Sequence, residues 1–461
     1  MNTLIILSIL PIVLLYLGLY KAQKSLLPVT VIGLLVALGL AIFDYTTLDT
    51  AKPVYHGMML FNNYAVVFSV VTIAVTILII LLSKGYFEKI SDHIAEYYAI
   101  VLFALAGIVI MVSFYNLVML FIGIEIMSVS LYILAGIKKS DFGSNEAALK
   151  YFLMGAFSTG FLLFGVALIY GASGSFNLET IRNWVLDHPH GIEPMFYTGI
   201  LLIIVGLCFK VGAAPFHFWT PDVYEGSPTL ITAFMSTVVK TAGFAAFLRL
   251  FSVCFAPLSG FWTPVLLVVT VITLFIGNIT ALYQHSFKRM LAFSSISHAG
   301  YLLFAIVALG AGSANSVFMY ATAYSIASII AFGALILVQQ QTGSDNFESF
   351  NGLAKRNPFL ALVLTVAMLS LAGIPLTAGF IGKFFMFTSA LQHFQLIMVI
   401  LAVVNAIISI FYYFRVIIAM YFRDTDRDEL TVPVYYQLVL GFSALITVLI
   451  GIYPAIISNF I

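Results

Sequence analysis

The chain has 461 residues, 62% of them apolar and 8% charged, with a formal net charge of +1 and a mean hydropathy of +1.10. A soluble domain of this length carries far more polar surface, so a soluble enzyme is excluded, and the near-neutral balance offers no basic footprint for nucleic acid. Apolar runs of about 18 residues or more recur from end to end, the mark of transmembrane helices.

Taken in chain order, the pattern predicts about fourteen spans, near 3–20, 27–44, 58–83, 94–113, 116–136, 147–172, 195–224, 228–253, 262–284, 290–310, 316–340, 358–391, 395–422 and 433–458. The expectation is an all-α polytopic membrane protein, one integral membrane domain over 1–461 lying in the lipid bilayer. The first span, LIILSILPIVLLYLGLY, lacks a basic leader and a small-residue cleavage site, and reads as a retained anchor. Lys and Arg concentrate after the odd-numbered spans: Lys21, Lys24, Lys84, Lys89, Lys138, Lys139, Lys288, Arg289, Lys355, Arg356, Arg423 and Arg427. The positive-inside rule then places both termini on the outer side. Cys208 and Cys254 lie in apolar runs and form no metal or haem motif.

Span 5 carries Glu125 in its middle, and span 6 carries Lys150 near its start. Span 7 contains KVGAAPFHFW, with Lys210, Pro215 and His217, and span 8 contains Lys240 in MSTVVKTAGF. Span 10 opens on the polar run FSSISHAGY, with His298, and span 12 contains LAGIPLTAGFIGK, with Pro375 and Lys383. Spans 7 and 12 are too long for a hydrocarbon core of about 30 Å. Each holds a proline in a small-residue patch, so both are expected to be broken helices, with irregular backbone facing protein or a wet cavity. Breaks five spans apart suggest two inverted five-helix repeats: spans 4–8 within 91–253 and spans 9–13 within 260–425. Spans 1–3 (1–90) and the last span (433–458) flank them.

A charge at mid-membrane costs at least about 2.5–3.5 kcal/mol and faces the bundle interior. Lys150 and Arg249 lie near span ends, where snorkelling to the interface is an equal alternative. His298 reads equally as a packed core histidine, and His217 as a filler of the break. Glu125, Lys210, Lys240 and Lys383 are too deep to snorkel. One carboxylate cannot neutralise three such lysines. A lysine paired to a movable glutamate holds its proton when the pair closes and releases it when the pair opens. Successive lysines, with a histidine that ordinarily titrates near neutrality, then suit a horizontal proton path at mid-membrane depth.

The stretches FKVGAAPFHFWTPDVYEGSPTLITAFMSTVVKTAGFAAFLRL (209–250), NITALYQHSFKRMLAFSSISHAGYLL (278–303) and SLAGIPLTAGFIGKFFMF (370–387) resemble the antiporter-like subunit N family of proton-pumping NADH–quinone oxidoreductase, respiratory complex I. The match runs from about 90 to 425. The resemblance implies that Glu125 and Lys210 form the glutamate–lysine pair, Lys240 the connecting lysine, His298 the central axis and Lys383 the terminal lysine. Lys150 matches a polar family position. It also implies that the chain holds no cofactor or metal, with flavin, iron–sulfur clusters and quinone in partner subunits of a bacterial inner-membrane translocase. The neighbours it implies are antiporter-like subunit M and the small subunit K. Subunits L and M, and the D-type component of the multisubunit sodium/proton antiporters, are similar families. PDVYEGSPT (221–229) favours subunit N, and no lateral helix extends the chain as in subunit L. A scaffold with a dead channel is a further alternative, against which the retained deep lysines and breaks argue.

Overall fold

The structure is a computed structural model that describes residues 2–47, 52–189, 191–310, 312–391, 396–458 and 460; the terminal residues Met1 and Ile461 lie outside them. The described chain is built from helices: α1 (Asn2–Leu19), α2 (Gln23–Thr47), α3 (Asn63–Leu82), α4 (Ile94–Ser113), α5 (Leu117–Ala135), α6 (Phe142–Ser173), α7 (Leu178–Asp187), α8 (Pro194–Val211), α9 (Trp219–Gly226), α10 (Thr229–Phe234) and α11 (Lys240–Val253). There follow α12 (Ser259–Leu282), α13 (Phe287–Val307), α14 (Ser313–Thr342), α15 (Leu353–Arg356), α16 (Pro358–Ala372), α17 (Ala378–Leu391), α18 (Leu396–Phe422), α19 (Val434–Ile452) and α20 (Ala455–Ser458). Among the described residues, thirteen helices are long and apolar enough to cross a membrane, the run Thr229–Val253 counting as one. The expected span at 358–391 is two shorter apolar helices, α16 and α17. This is the all-α polytopic plan that the hydropathy predicts. The short α7 is not among the predicted elements, because a helix of this length lying outside the spans leaves no long apolar run.

Both expected breaks are present, and both are closed by the same local chemistry. At the end of α8, Gly212 (φ +71°) donates to Phe209 O, and Ala213 donates to Cys208 O. At the end of α16, Gly373 (φ +82°) donates to Ser370 O, and Ile374 donates to Leu369 O. This paired wrap-back satisfies terminal carbonyls and needs a left-handed residue that glycine supplies without a Cβ clash. Proline follows three residues after Gly212, at Pro215 behind a cis peptide bond, and two residues after Gly373, at Pro375. Residues 212–218 and 373–377 therefore cannot continue the helix. The first break docks on α12, where the Ala214 amide donates to Thr273 Oγ1 at 2.9 Å.

Helix pairs α12–α13, α6–α8, α4–α5 and α1–α4 make the most extensive contacts. An 18-residue stretch of each of Thr229–Val253, α13 and α14 is buried entirely in protein, whereas α1, α2 and α18 show much of their surface outward. The two least apolar spans, Thr229–Val253 and α13, are thus inside the bundle. That is where polar side chains find protein partners rather than lipid.

Candidate functional site

The charges that the sequence places at depth come from five elements: Glu125 from α5, Lys210 from α8, Lys240 from α11, His298 from α13 and Lys383 from α17. Lys210, Lys240, His298 and Lys383 are all buried. On α5, Glu125, Ser128 and Tyr132 recur at helical spacing and share one face. Lys210, in the last turn of α8, sends its ammonium to that face. Its Nζ donates to Ser128 Oγ at 2.6 Å, approaches Tyr132 OH at 3.4 Å, and lies 5.6 Å from the centre of the Tyr132 ring. Glu125 stands one turn away, and no ion-pair contact joins it to Lys210; its Oε1 is buried without a hydrogen-bond partner. The lysine thus docks on the same face of α5 that carries the glutamate, held by the hydroxyls of Ser128 and Tyr132.

Lys240 opens α11 directly after a π-helical turn, Met235–Val239. Such a turn inserts one residue per loop and re-aims the side chains after it. The Lys240 Nζ donates to both the backbone oxygen and Oγ of Ser295 on α13, 5.9 Å from the ring centre of Tyr324 on α14. Tyr324 also lies against His298, with ring centres 4.6 Å apart. His298 is held at both nitrogens: Nδ1 meets Tyr320 OH, and Nε2 lies 3.0 Å from Tyr413 OH. Tyr413 OH in turn meets Ser294 Oγ.

Lys383 on α17 reaches back across the second break. Its Nζ donates to Ala372 O at 2.9 Å and Leu371 O at 3.2 Å, and lies 4.9 Å from the ring centre of Tyr301. These carbonyls are the exposed end of α16, where the helix dipole is negative and a cation is favoured. The break therefore supplies the acceptors for the lysine that follows it. Pro375 and Pro215 act only through the backbone they interrupt. His217 is buried beside Pro215, its Nδ1 without a partner and its ring 4.6 Å from that of Phe218.

Lys150 is not part of this interior group. It is bound at 2.7 Å to each of Glu146 and Asp222, with a side chain 40% exposed. Asp222 also binds Arg289, which contacts Glu225. This is a half-exposed ionic cluster joining α6, α9 and α13. Arg249, at the other alternative position, is buried and donates to Leu60 O, Phe114 O and Asn62 Oδ1. Lys288, read from sequence as a loop charge, is buried at the start of α13, donating to Glu225 O and Ser227 O.

The tyrosines do not stand out in the sequence, nor do Ser128, Asn278 and Asn405. Asn278 accepts from Ser297 and Tyr412 and donates to Asn405, locking α12, α13 and α18 together. The one signal available is the clustering of polar residues in FSSISHAGY, which marks α13 but not its partners on α14 and α18.

Residues 114–409 match the family described as NADH:quinone oxidoreductase/Mrp antiporter, TM. NADH-quinone oxidoreductase subunit N of Flavobacterium psychrophilum is 41% identical over 99% of this chain and 99% of its own length. Among solved structures, a chain of respiratory complex I from Thermus thermophilus with bound aureothin superposes with a TM-score of 0.83 at 31% identity, covering 99% of this chain and 98% of that one. A chain of the Mrp complex from Dietzia sp. superposes with a TM-score of 0.89 at 18% identity, over 99% of this chain and 95% of that one, a likeness of fold.

Proposed function

The chain belongs to the NADH:quinone oxidoreductase/Mrp antiporter membrane family, and from that premise we propose that it is the proton-translocating subunit N of a bacterial NADH–quinone oxidoreductase. The observation that carries this reading is the set of buried cations, Lys210 on α8, Lys240 on α11 and Lys383 on α17, with the buried His298 on α13. Each is held by hydroxyl or carbonyl oxygens rather than by a carboxylate. A lysine in that setting is stabilised enough to stay charged when loaded, yet it has no fixed counter-ion to trap the proton.

In this reading, redox chemistry belongs to partner chains that carry flavin, iron–sulfur clusters and quinone, and this chain has no cofactor of its own. A charge or conformational change arriving from those partners acts first on Glu125 and Lys210. Movement of the Glu125 carboxylate toward Lys210 draws the ammonium from Ser128, and withdrawal releases it. Lys240, His298 and Lys383 then take up the shift in turn. Subunits M and K are the proposed neighbours, and both termini face the outer side of the inner membrane. The matching closures at 212–213 and 373–374 support the inverted-repeat plan, and with it two half-channels that meet at the axis.

The test is Lys383→Ala in the assembled complex, reconstituted in vesicles. Protons moved per quinone reduced should fall while uncoupled quinone reduction persists. An unchanged proton yield in a fully assembled complex sinks the assignment.

A further inference from the structure

We propose that Tyr320 and Tyr413 are proton-relay residues, and that with His298 they form a single-passage gate that inverts each time a proton crosses it. The inference rests on the reading above and adds to it the two hydroxyls and the gating rule.

His298, Tyr320, Tyr413 and Ser294 are all buried, with relative exposures of 3%, 1%, 0% and 1%. Their contacts form one line, Tyr320 OH to Nδ1, Nε2 to Tyr413 OH, and Tyr413 OH to Ser294 Oγ, with the Tyr412 hydroxyl as a side branch at Tyr413. A neutral imidazole has one N–H and one bare nitrogen, so one tyrosine must accept from it while the other donates to it. The line therefore has two complete settings. In the first, Nδ1–H donates to Tyr320, Tyr413 O–H donates to Nε2, and Ser294 O–H donates to Tyr413. In the second, every donor and acceptor is exchanged.

A proton delivered to Ser294 Oγ converts the first setting into the second. Ser294 gives its own proton to the Tyr413 oxygen, and Tyr413 gives its proton to Nε2. Nδ1 gives its proton to the Tyr320 oxygen, and Tyr320 releases its former proton toward the Lys383 side. One proton enters and one leaves, each oxygen and nitrogen ends with the valence it began with, and the net charge is unchanged. A second proton cannot follow in the same direction, because Nε2 now carries the hydrogen and Tyr413 points at Ser294. To reset, the imidazole must leave both tyrosines, take a proton at Nδ1 from a water and return the Nε2 proton to that same water, after which the hydroxyls turn back; one proton is gained and one lost, with no net transfer. The geometry thus couples transit to a conformational step at His298, which is what prevents an enclosed wire from short-circuiting the membrane.

The experiment uses the assembled complex in vesicles with Tyr320→Phe and Tyr413→Phe, which keep both rings and remove only the hydroxyls. Tyr436→Phe serves as the reference, since this buried hydroxyl bonds the Leu82 carbonyl, off the line. Each gate variant is expected to lose the same share of proton yield per quinone as Lys383→Ala, with uncoupled quinone reduction retained, while Tyr436→Phe keeps the yield. If Lys383→Ala lowers the yield and neither gate variant does, the gate is overturned and the lysine axis stands. If Lys383→Ala has no effect, the axis fails and the gate falls with it. Infrared spectra of the unmodified complex with ¹⁵N-histidine, compared with His298→Gln to isolate the His298 bands, provide a readout that needs no tyrosine variant. Alternation of neutral His298 between its two tautomers during turnover supports the gate, and a single fixed tautomer or a persistent imidazolium overturns it.

Discussion

Asp141 serves two partners with one carboxylate. It caps α6 by accepting from the Gly143 and Ser144 amides, and its Oδ2 lies 2.6 Å from Lys138 Nζ. The Lys138 hydrogen bond is the chief cause that holds its carboxyl below the ordinary value of 3.8. A depressed folded value stabilises the protein above the unfolded value, and the gain disappears as pH falls through the folded one. Asp141→Asn retains a capping oxygen and removes the charge. It should lower the melting midpoint at neutral pH by the small amount expected of an exposed pair, about 0.2–1 kcal/mol. The difference from the parent should close as the pH drops below 3.8; a difference that is constant down to that range would count against the ion pair. Legibility in the sequence follows charge. Lys210, Lys240, Lys383 and Glu125 stand out because ionised groups are rare in apolar runs. Tyr320 and Tyr413 do not stand out, because the chain has 24 tyrosines and only tertiary packing selects the two that face His298. Lys288 misleads for a related reason: it sits beside a loop in sequence, and the fold covers it.

Among the elements, the second break and its lysine are one unit. An added Cβ at Gly373 would stand 2.8 Å from Lys383 Cδ and 3.1 Å from Nζ, and the backbone there is left-handed. Gly373→Ala should therefore cost about 1–2 kcal/mol for the conformation and also push the ammonium off the α16 carbonyls. Two readouts separate these effects: a lowered melting midpoint for the backbone, and a reduced proton yield for the lysine. Full proton yield in Gly373→Ala would show that the position of Lys383 against α16 is unimportant. The two breaks are legible because proline, glycine and excess length coincide at each. The π turn before Lys240 is not, since MSTVV has the side chains of ordinary helix and its extra residue appears only when Lys240 is aimed at Ser295.

Over the full bundle, Arg249 ties together parts of the chain far apart in sequence. From α11 it holds the backbone before α3 through Leu60 and Asn62, and the α4–α5 junction through Phe114, with its guanidinium 5.2 Å from the Tyr64 ring centre. Arg249→Met should take the side-chain donor from the Leu60 and Phe114 carbonyls at about 1–3 kcal/mol each, while Asn62 Oδ1 keeps the Ala65 amide. Arg249→Lys should rescue little, because one ammonium cannot reproduce a planar fork of donors. Thermal unfolding of the assembled complex checks both, and full rescue by lysine would assign the effect to charge alone. The alternative of snorkelling, open in the sequence, is settled by burial: Arg249 is 4% exposed.

The buried spans have a consequence for how the molecule is made. Thr229–Val253 and α13 are among the least apolar of the crossing helices, yet an 18-residue stretch of each is buried entirely in protein. Each emerges from synthesis before α14, α17 and α18, the elements that cover its serines, tyrosines and lysines. Until those later helices arrive, the nascent bundle presents a polar face to the bilayer. A chain cut short after α13 would keep that face uncovered, an invitation to quality-control proteases. The polar interior is therefore made before the helices that finish covering it, and its most hydrophilic parts depend for their lodging on segments not yet translated.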